Sequence, residues 1–143
     1  MEKFILFLLF LSTSLIIIAQ TEVDVLTDEG YTARVGSMCV ETIKPDPCAG
    51  TETYLTLNFE EELVLVTDTE ISTCGSASIN SKLAYKWELM QDAEIKIYSN
   101  AEKLGHKFLE DLVLKVKNRT VIGIRPTWAS RPDTIVFSKI AGK

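Results

Sequence analysis

The stretch YLTLNFEEELVLV, residues 54 to 66, decides the fold class of this 143-residue chain. In its first half, leucine, leucine and phenylalanine alternate with polar residues, which is the pattern of a half-buried β-strand. Its second half is a further apolar run, and the two halves are joined by Glu60, Glu61 and Glu62. Three adjacent carboxylates favour a solvated turn that also discourages edge pairing. The stretch therefore predicts a β-hairpin with one apolar face.

Two registers of this hairpin are compatible with the sequence. A turn centred on Glu61 places Phe59 opposite Leu63, and this is the register that we favour. A shift of one residue brings Val64 to that face and is almost as apolar. Because side chains alternate between the two faces of a strand, the register decides which residues point inward.

The same period of two recurs along the rest of the chain. Further strands are predicted at residues 23–25, 31–35, 79–89, 94–98, 112–116, 121–124 and 134–138. Gly36 indicates a bulge after the second of these, and Asn118 is a favourable turn residue. About eight short strands with tight connections predict an all-β, antiparallel up-and-down meander that closes into a small barrel. A β-sandwich is the alternative.

Residues 100–112 fit this pattern less well. Leu104, Phe108 and Leu112 are spaced by four, which also suits one face of a helix. We favour a loop through Gly105 followed by a strand from about Lys107. A short helix is the alternative.

The N-terminal residues have the features of an export signal. Lys3 precedes an apolar run that ends at Ala19, so cleavage is predicted between Ala19 and Gln20. Residues 1–19 are then a signal peptide and residues 20–143 a single domain, secreted or periplasmic, with no stable membrane anchor after cleavage. The alternative is an uncleaved anchor helix, although the apolar run is shorter than the roughly 20 residues that span a bilayer.

An exported chain with three cysteines predicts one disulfide and one further thiol. When the favoured hairpin register is continued along both strands away from the turn, Cys48 lies opposite Cys74. We expect this pair to be bonded. A bond between Cys39 and Cys48, free thiols and an intermolecular link are the alternatives.

Composition excludes several classes of function. The net charge is −5, with acids and bases interspersed, so no basic stripe is present for nucleic acid or an anionic lipid surface. The single histidine rules out two-histidine zinc sites, and the glycines are too scattered for a nucleotide-binding loop. His106 is expected to be a solvated loop residue, away from the cysteines. No catalytic residue, metal or cofactor is predicted, and the chain is expected not to be an enzyme.

Two regions are candidates for binding. The first is the interior wall, which either fills the barrel or surrounds a small hydrophobic ligand; filling is favoured for a barrel of this size. Its predicted residues are Leu55, Leu57, Phe59, Leu83, Tyr85, Trp87 and Leu89. The second is a loop in which Trp128 lies between Arg125 and Arg131, residue types that are enriched in binding hot spots. For this loop, Trp128 capping the open end of the barrel is the interpretation that we favour over binding.

The order of parts resembles a known group of proteins. An export signal is followed by TYLTLNFEE, LVLVTDTEISTCGS, LAYKWELMQDAEIKIYS, FLEDLVLKVKNRTVIGI and TIVFSKI. Over residues 31–140 this order resembles the lipocalin-like small barrel domains of bacterial exported proteins. The Gly-x-Trp motif of true lipocalins is absent, since Ser37 and Met38 follow Gly36, and Gln20 stands where many relatives have a lipid-attachment cysteine.

The resemblance implies a barrel that holds a small hydrophobic molecule, in a freely soluble exported form. The alternative function is a protein-interaction module, such as an inhibitor or an envelope-stress accessory, that acts through its outer surface and the Trp128 loop.

Overall fold

A computed structural model describes residues 26–44, 46, 48–99, 101, 103–127 and 131–141. The predicted signal peptide, its cleavage position, the candidate strand at 23–25 and Trp128 lie outside the described residues. Within those residues, no helix is long and apolar enough to cross a membrane.

The described chain forms eight antiparallel strands that close into a barrel in sequence order. They are β1 (Gly30–Cys39), β2 (Gly50–Phe59), β3 (Leu63–Ser72), β4 (Ala77–Leu89), β5 (Glu94–Tyr98), β6 (Val113–Lys117), β7 (Thr120–Arg125) and β8 (Asp133–Lys139). The predicted up-and-down barrel is confirmed, and the sandwich alternative is wrong.

The barrel is taller on one side than on the other. Strands β1 to β4 have 10 to 13 residues, whereas β5 to β8 have 5 to 7. Two of the junctions are therefore short. Strand β8 pairs with β1 only at Tyr31 and Thr32, and β5 pairs with β6 only at Glu94 and Ile95. The parts of β1 and β4 beyond these short pairings have a neighbouring strand on one side only.

The β2–β3 hairpin adopts the register that we did not favour. Phe59 pairs with Val64, not with Leu63. The Glu60 amide donates to the Leu63 carbonyl at 2.7 Å, which leaves only two residues in the turn. Val64 is fully buried and Leu63 is 39% exposed, because the one-residue shift turns the valines inward.

Two other turns contain residues with positive φ, and the one at Asn118 follows the sequence prediction. Asn118 and Arg119 both have positive φ, 52° and 61°, as the two central residues of a type I′ hairpin turn do. Ala93, with φ 60°, ends the connection that joins β4 to β5 as a hairpin. The bulge expected at Gly36 is confirmed by a shift of register between Arg34 and Gly36.

A second bulge was not predicted. The register between β3 and β4 shifts between Asp68 and Thr69, where Asp68 pairs with Ser81 and Thr69 with Ile79. The shift places Ile79 on the face opposite Trp87, and its side chain is 66% exposed. Ile79 therefore lies on the outer face, although unbroken alternation along residues 79–89 would place it on the same face as Trp87.

Side chains fill the middle of the barrel. The Phe59 ring meets Trp87 edge to face at 5.0 Å between centroids and Tyr31 at 6.0 Å. The Trp87 indole nitrogen donates to the Glu60 carbonyl at 2.9 Å, so its polar atom is paired at the barrel rim. The ring of Trp87 is thus packed against Phe59 inside the barrel.

Residues 103–112, which we name the cover segment, lie across the inside of the barrel. A loop through Gly105 is confirmed, but the strand begins at Val113, so a strand from Lys107 is wrong. Isolated turns replace the alternative helix; the Leu109 amide donates to the His106 carbonyl at 3.0 Å. Leu109 and Leu112 are both buried in the core, which is why this segment follows the sheet interior instead of pairing in it.

The predicted disulfide is confirmed between Cys48 and Cys74, whose Cα atoms are 5.0 Å apart. Cys39 is free and exposed. The bond joins the β1–β2 loop to the β3–β4 turn, and the Thr73 amide donates to the Gly50 carbonyl beside it at 2.9 Å. The pairing is correct although the register used to infer it was displaced by one residue.

Candidate functional site

The predicted wall residues mostly form the packed core. Leu55, Leu57, Phe59, Tyr85 and Trp87 are buried, and Leu89 packs against them partly exposed. Leu83 belongs to the same strand face but is 41% exposed, because β4 has no β5 partner at that height. The structure therefore brings the wall residues together as core. The space that could hold a ligand lies between β5 and β6.

A crevice of about 150 Å³ lies between β5 and β6, beside the cover segment. Its lining comprises the apolar residues Ile95, Ile97, Leu104, Leu109, Leu112, Val113 and Leu114, together with the charged residues Glu94 and Lys96. The crevice exists because β5 and β6 separate after two residue pairs, and the cover segment fills only part of the gap. Sequence reasoning missed this site, since the length over which two strands pair is set by the whole barrel.

A polar cluster lies on the inner face at the taller side of the barrel. Asp68 of β3 pairs with Ser81 of β4, and Asp68 is also opposite the buried Leu55. From the cover segment, the His106 Nε2 atom approaches the Ser81 Oγ atom at 3.4 Å. His106 is only 4% exposed. The expectation of a solvated loop histidine is wrong, because the flanking leucines hold the segment over the interior.

Two atoms of this cluster have no hydrogen-bond partner within the described part of the chain. They are Oδ1 of Asp68 and Nδ1 of His106, and both are buried. Among the same residues, no group of three or more His, Cys, Asp or Glu side chains is placed to hold a metal ion. The cluster is thus a set of hydrogen-bonding groups.

Burial shifts both titrating groups of the cluster away from charge. It lowers the pKa of His106, and the negative charges of Asp68 and Glu110 oppose this. It also raises the pKa of Asp68, an effect that the charges of His106 and Lys107 oppose and that of Glu70 reinforces. Burial therefore favours the neutral form of His106.

The lowered pKa of His106 predicts a pH dependence of stability. Between the folded and unfolded pKa values the unfolded chain binds the proton more readily, so the free energy of unfolding should decrease as pH falls below about 6.5. Asp68 contributes with the opposite sign at lower pH, because its folded pKa is raised. Urea unfolding at pH 7.5, 6.5 and 5.5 tests this. The variant His106→Gln should show a flatter profile, and an unchanged slope would contradict the assignment.

The Arg125–Arg131 loop is only partly described. Arg125 ends β7, and its guanidinium donates to the Val35 carbonyl at 3.5 Å, so it links β7 to β1. Arg131 is exposed, and its carbonyl accepts a hydrogen bond from the Thr127 hydroxyl at 2.7 Å. Of the two arginines, Arg131 is exposed and Arg125 is partly buried.

Comparison of the chain with protein-family models, with curated proteins and with solved structures gives no match. The crevice and the polar cluster are therefore the features of the described residues that indicate a function.

Proposed function

We propose that this chain is an exported, non-enzymatic, lipocalin-like barrel that binds a small apolar ligand. The observation that carries the proposal is the crevice between β5 and β6. The barrel centre is filled by Phe59, Trp87 and their neighbours, so the ligand enters at the side, where the sheet is interrupted. The disulfide between Cys48 and Cys74 agrees with an oxidising compartment outside the cytoplasm.

The size and lining of the crevice define the ligand class. A dry, aliphatic cavity of about 150 Å³ in another protein is large enough for a benzene ring. The crevice here has a similar volume, but it opens to solvent and its lining also includes Glu94 and Lys96. We therefore expect an aromatic ring or a short alkyl chain. Each methylene group removed from water contributes about 0.8 kcal/mol to such binding.

The proposal predicts that filling the crevice abolishes binding. Ile97 lines the crevice, so Ile97→Trp should occupy the space and weaken binding of 1-octanol at least about tenfold, equivalent to 1.4 kcal/mol. The measurement is a titration followed by two-dimensional amide NMR. Shifts are expected at Leu104 and Leu114 in the natural protein.

Val136→Trp is the matched control, since Val136 is 59% exposed on β8. It introduces an equally large side chain and should leave the affinity for 1-octanol unchanged. Equal affinity in Ile97→Trp and Val136→Trp, or the absence of saturable shifts in the natural protein, would overturn the proposal.

One observation favours the alternative function, a protein-interaction module. In the described residues, Ala77–Tyr85 of β4 pairs with β3 on one side only, and Ile79 is exposed beside this free edge. An extended peptide can add to such an edge through backbone hydrogen bonds. A bound partner peptide would shift the amides of Ile79 and Leu83, whereas a crevice ligand would shift those near Ile97.

A further inference from the structure

The crevice lies between the backbone edges of two strands. Residues 94–97 of β5 all line it, and so do Leu112, Val113 and Leu114 on the opposite side. Side chains of successive strand residues point to opposite faces of the sheet, so consecutive lining residues have only the edge of the strand in common. A molecule in the crevice therefore contacts main-chain N–H and C=O groups as well as apolar side chains.

The pairing of β5 with β6 stops where the chain before β6 turns into the barrel. The register of the two strands would place Ile97 opposite Leu112. The Leu112 amide instead donates to the Leu109 carbonyl at 3.2 Å. The Leu112 side chain packs over Gly123 of β7, where an added Cβ atom would lie 2.8 Å from Leu112 Cδ1. Leu112 therefore does not take the position opposite Ile97.

The main-chain groups of Ile97 point toward this position. In an antiparallel ladder, alternate residues of a strand direct both groups toward the same neighbour. On the β4 side, the Met90 amide donates to the Glu94 carbonyl at 2.8 Å. On the β6 side, the Val116 amide donates to the carbonyl of Ala93, four residues before Ile97, at 2.8 Å. Ile97 thus offers one donor and one acceptor to the gap, which is the complement of another residue in an extended chain.

We propose that the crevice binds a short extended peptide, which pairs with Ile97 as an added strand residue and directs one apolar side chain into the barrel. Cross-strand neighbours share a face of the sheet, and Ile97 packs against the core on the inner face. The side chain of the paired peptide residue then contacts Leu104 and Leu109. The crevice volume of about 150 Å³ suits a single side chain of leucine size. The inference rests on the proposed function, because the apolar part of the peptide uses the same crevice.

The test compares two probes that have the same apolar side chain and differ in one donor. They are N-acetyl-leucine methylamide and its depsipeptide analogue, in which an ester oxygen replaces the leucine N–H. Binding to the mature chain is followed by two-dimensional amide NMR. The depsipeptide should bind about fivefold more weakly, because it cannot donate to the Ile97 carbonyl. N-acetyl-glycine methylamide keeps the main-chain groups but lacks the side chain, and it should bind at least about tenfold more weakly than the leucine probe.

Two further measurements locate the bound probe. Hydrogen exchange of the Ile97 amide should slow when the leucine probe is saturating, since this amide then donates to the probe carbonyl. Ile97→Trp should abolish binding of the leucine probe. Val136→Trp, the exposed control on β8, should leave this binding unchanged.

The outcomes separate this inference from the proposed function. Saturable binding of 1-octanol in the crevice, with equal affinity for the leucine probe and its depsipeptide, would overturn the peptide site and leave the proposed function standing. Shifts at Ile79 and Leu83 that survive Ile97→Trp would also overturn the peptide site, because the leucine probe would then lie at the edge of β4. If neither 1-octanol nor the leucine probe gives saturable shifts, both proposals fall.

Discussion

Replacing Trp87 with alanine is expected to lower the free energy of unfolding by about 3–5 kcal/mol, the usual cost of truncating a buried aromatic residue. Trp87 is 7% exposed, and its ring packs edge to face on Phe59. Alanine removes this contact and the hydrogen bond to the Glu60 carbonyl, and it leaves a cavity at the centre of the barrel. Urea unfolding followed by far-ultraviolet circular dichroism measures the change.

Two variants identify the source of this effect. Trp87→Phe keeps an aromatic ring but removes the indole N–H, so it should be clearly less destabilising than alanine. Lys86→Ala changes the adjacent, exposed residue and should alter the free energy of unfolding by no more than about 0.5 kcal/mol. A loss in Trp87→Ala as small as that in Lys86→Ala would show that the barrel centre is not packed as described.

Removing the disulfide by the double replacement of Cys48 and Cys74 with alanine is expected to cost about 3 kcal/mol. The two residues are 26 positions apart and both are exposed, so little packing is lost with them. In the chain-entropy account, the unfolded chain gains freedom when the loop is no longer closed. Urea unfolding of the natural protein with and without reductant should give the same difference as the double variant.

Cys39→Ser is the control for this second experiment. Cys39 is free and exposed, so its replacement should leave the free energy of unfolding unchanged. It also prevents thiol exchange during unfolding. A reductant that has no effect, or a Cys39→Ser variant that loses as much stability as the double alanine variant, would contradict the disulfide assignment.

The barrel could be predicted from the sequence because alternation of apolar and polar residues is a local property. The hairpin register could not, since both Leu63 and Val64 suit the inner face. The length of the turn decides the register, because the turn closes after two residues. No glycine or proline in the sequence indicates the bulge that turns Ile79 outward. It can be identified only from the pairing of β3 with β4.

The candidate site was less predictable than the fold. From sequence alone, a polar residue such as His106 is assigned to the surface. Its burial depends on a tertiary structure that shields it from solvent. The apolar spacing of Leu104, Phe108 and Leu112 was the one signal that this segment is held against the interior. The crevice depends on the residue at which β5 and β6 stop pairing, and no local sequence pattern predicts that position.

The junction between β1 and β8 has a consequence for how the barrel assembles. Tyr31 and Lys139 pair there, yet they lie more than 100 residues apart in the sequence. The hairpins between successive strands close short loops, whereas joining the two ends costs far more chain entropy. Closure of this junction is therefore expected to be the last step of assembly. Two residue pairs, a hydrogen bond from the Ile140 amide to the Gly30 carbonyl and the ion pair between Lys139 and Glu29 hold it, and its opening would uncover Tyr31 and Phe137.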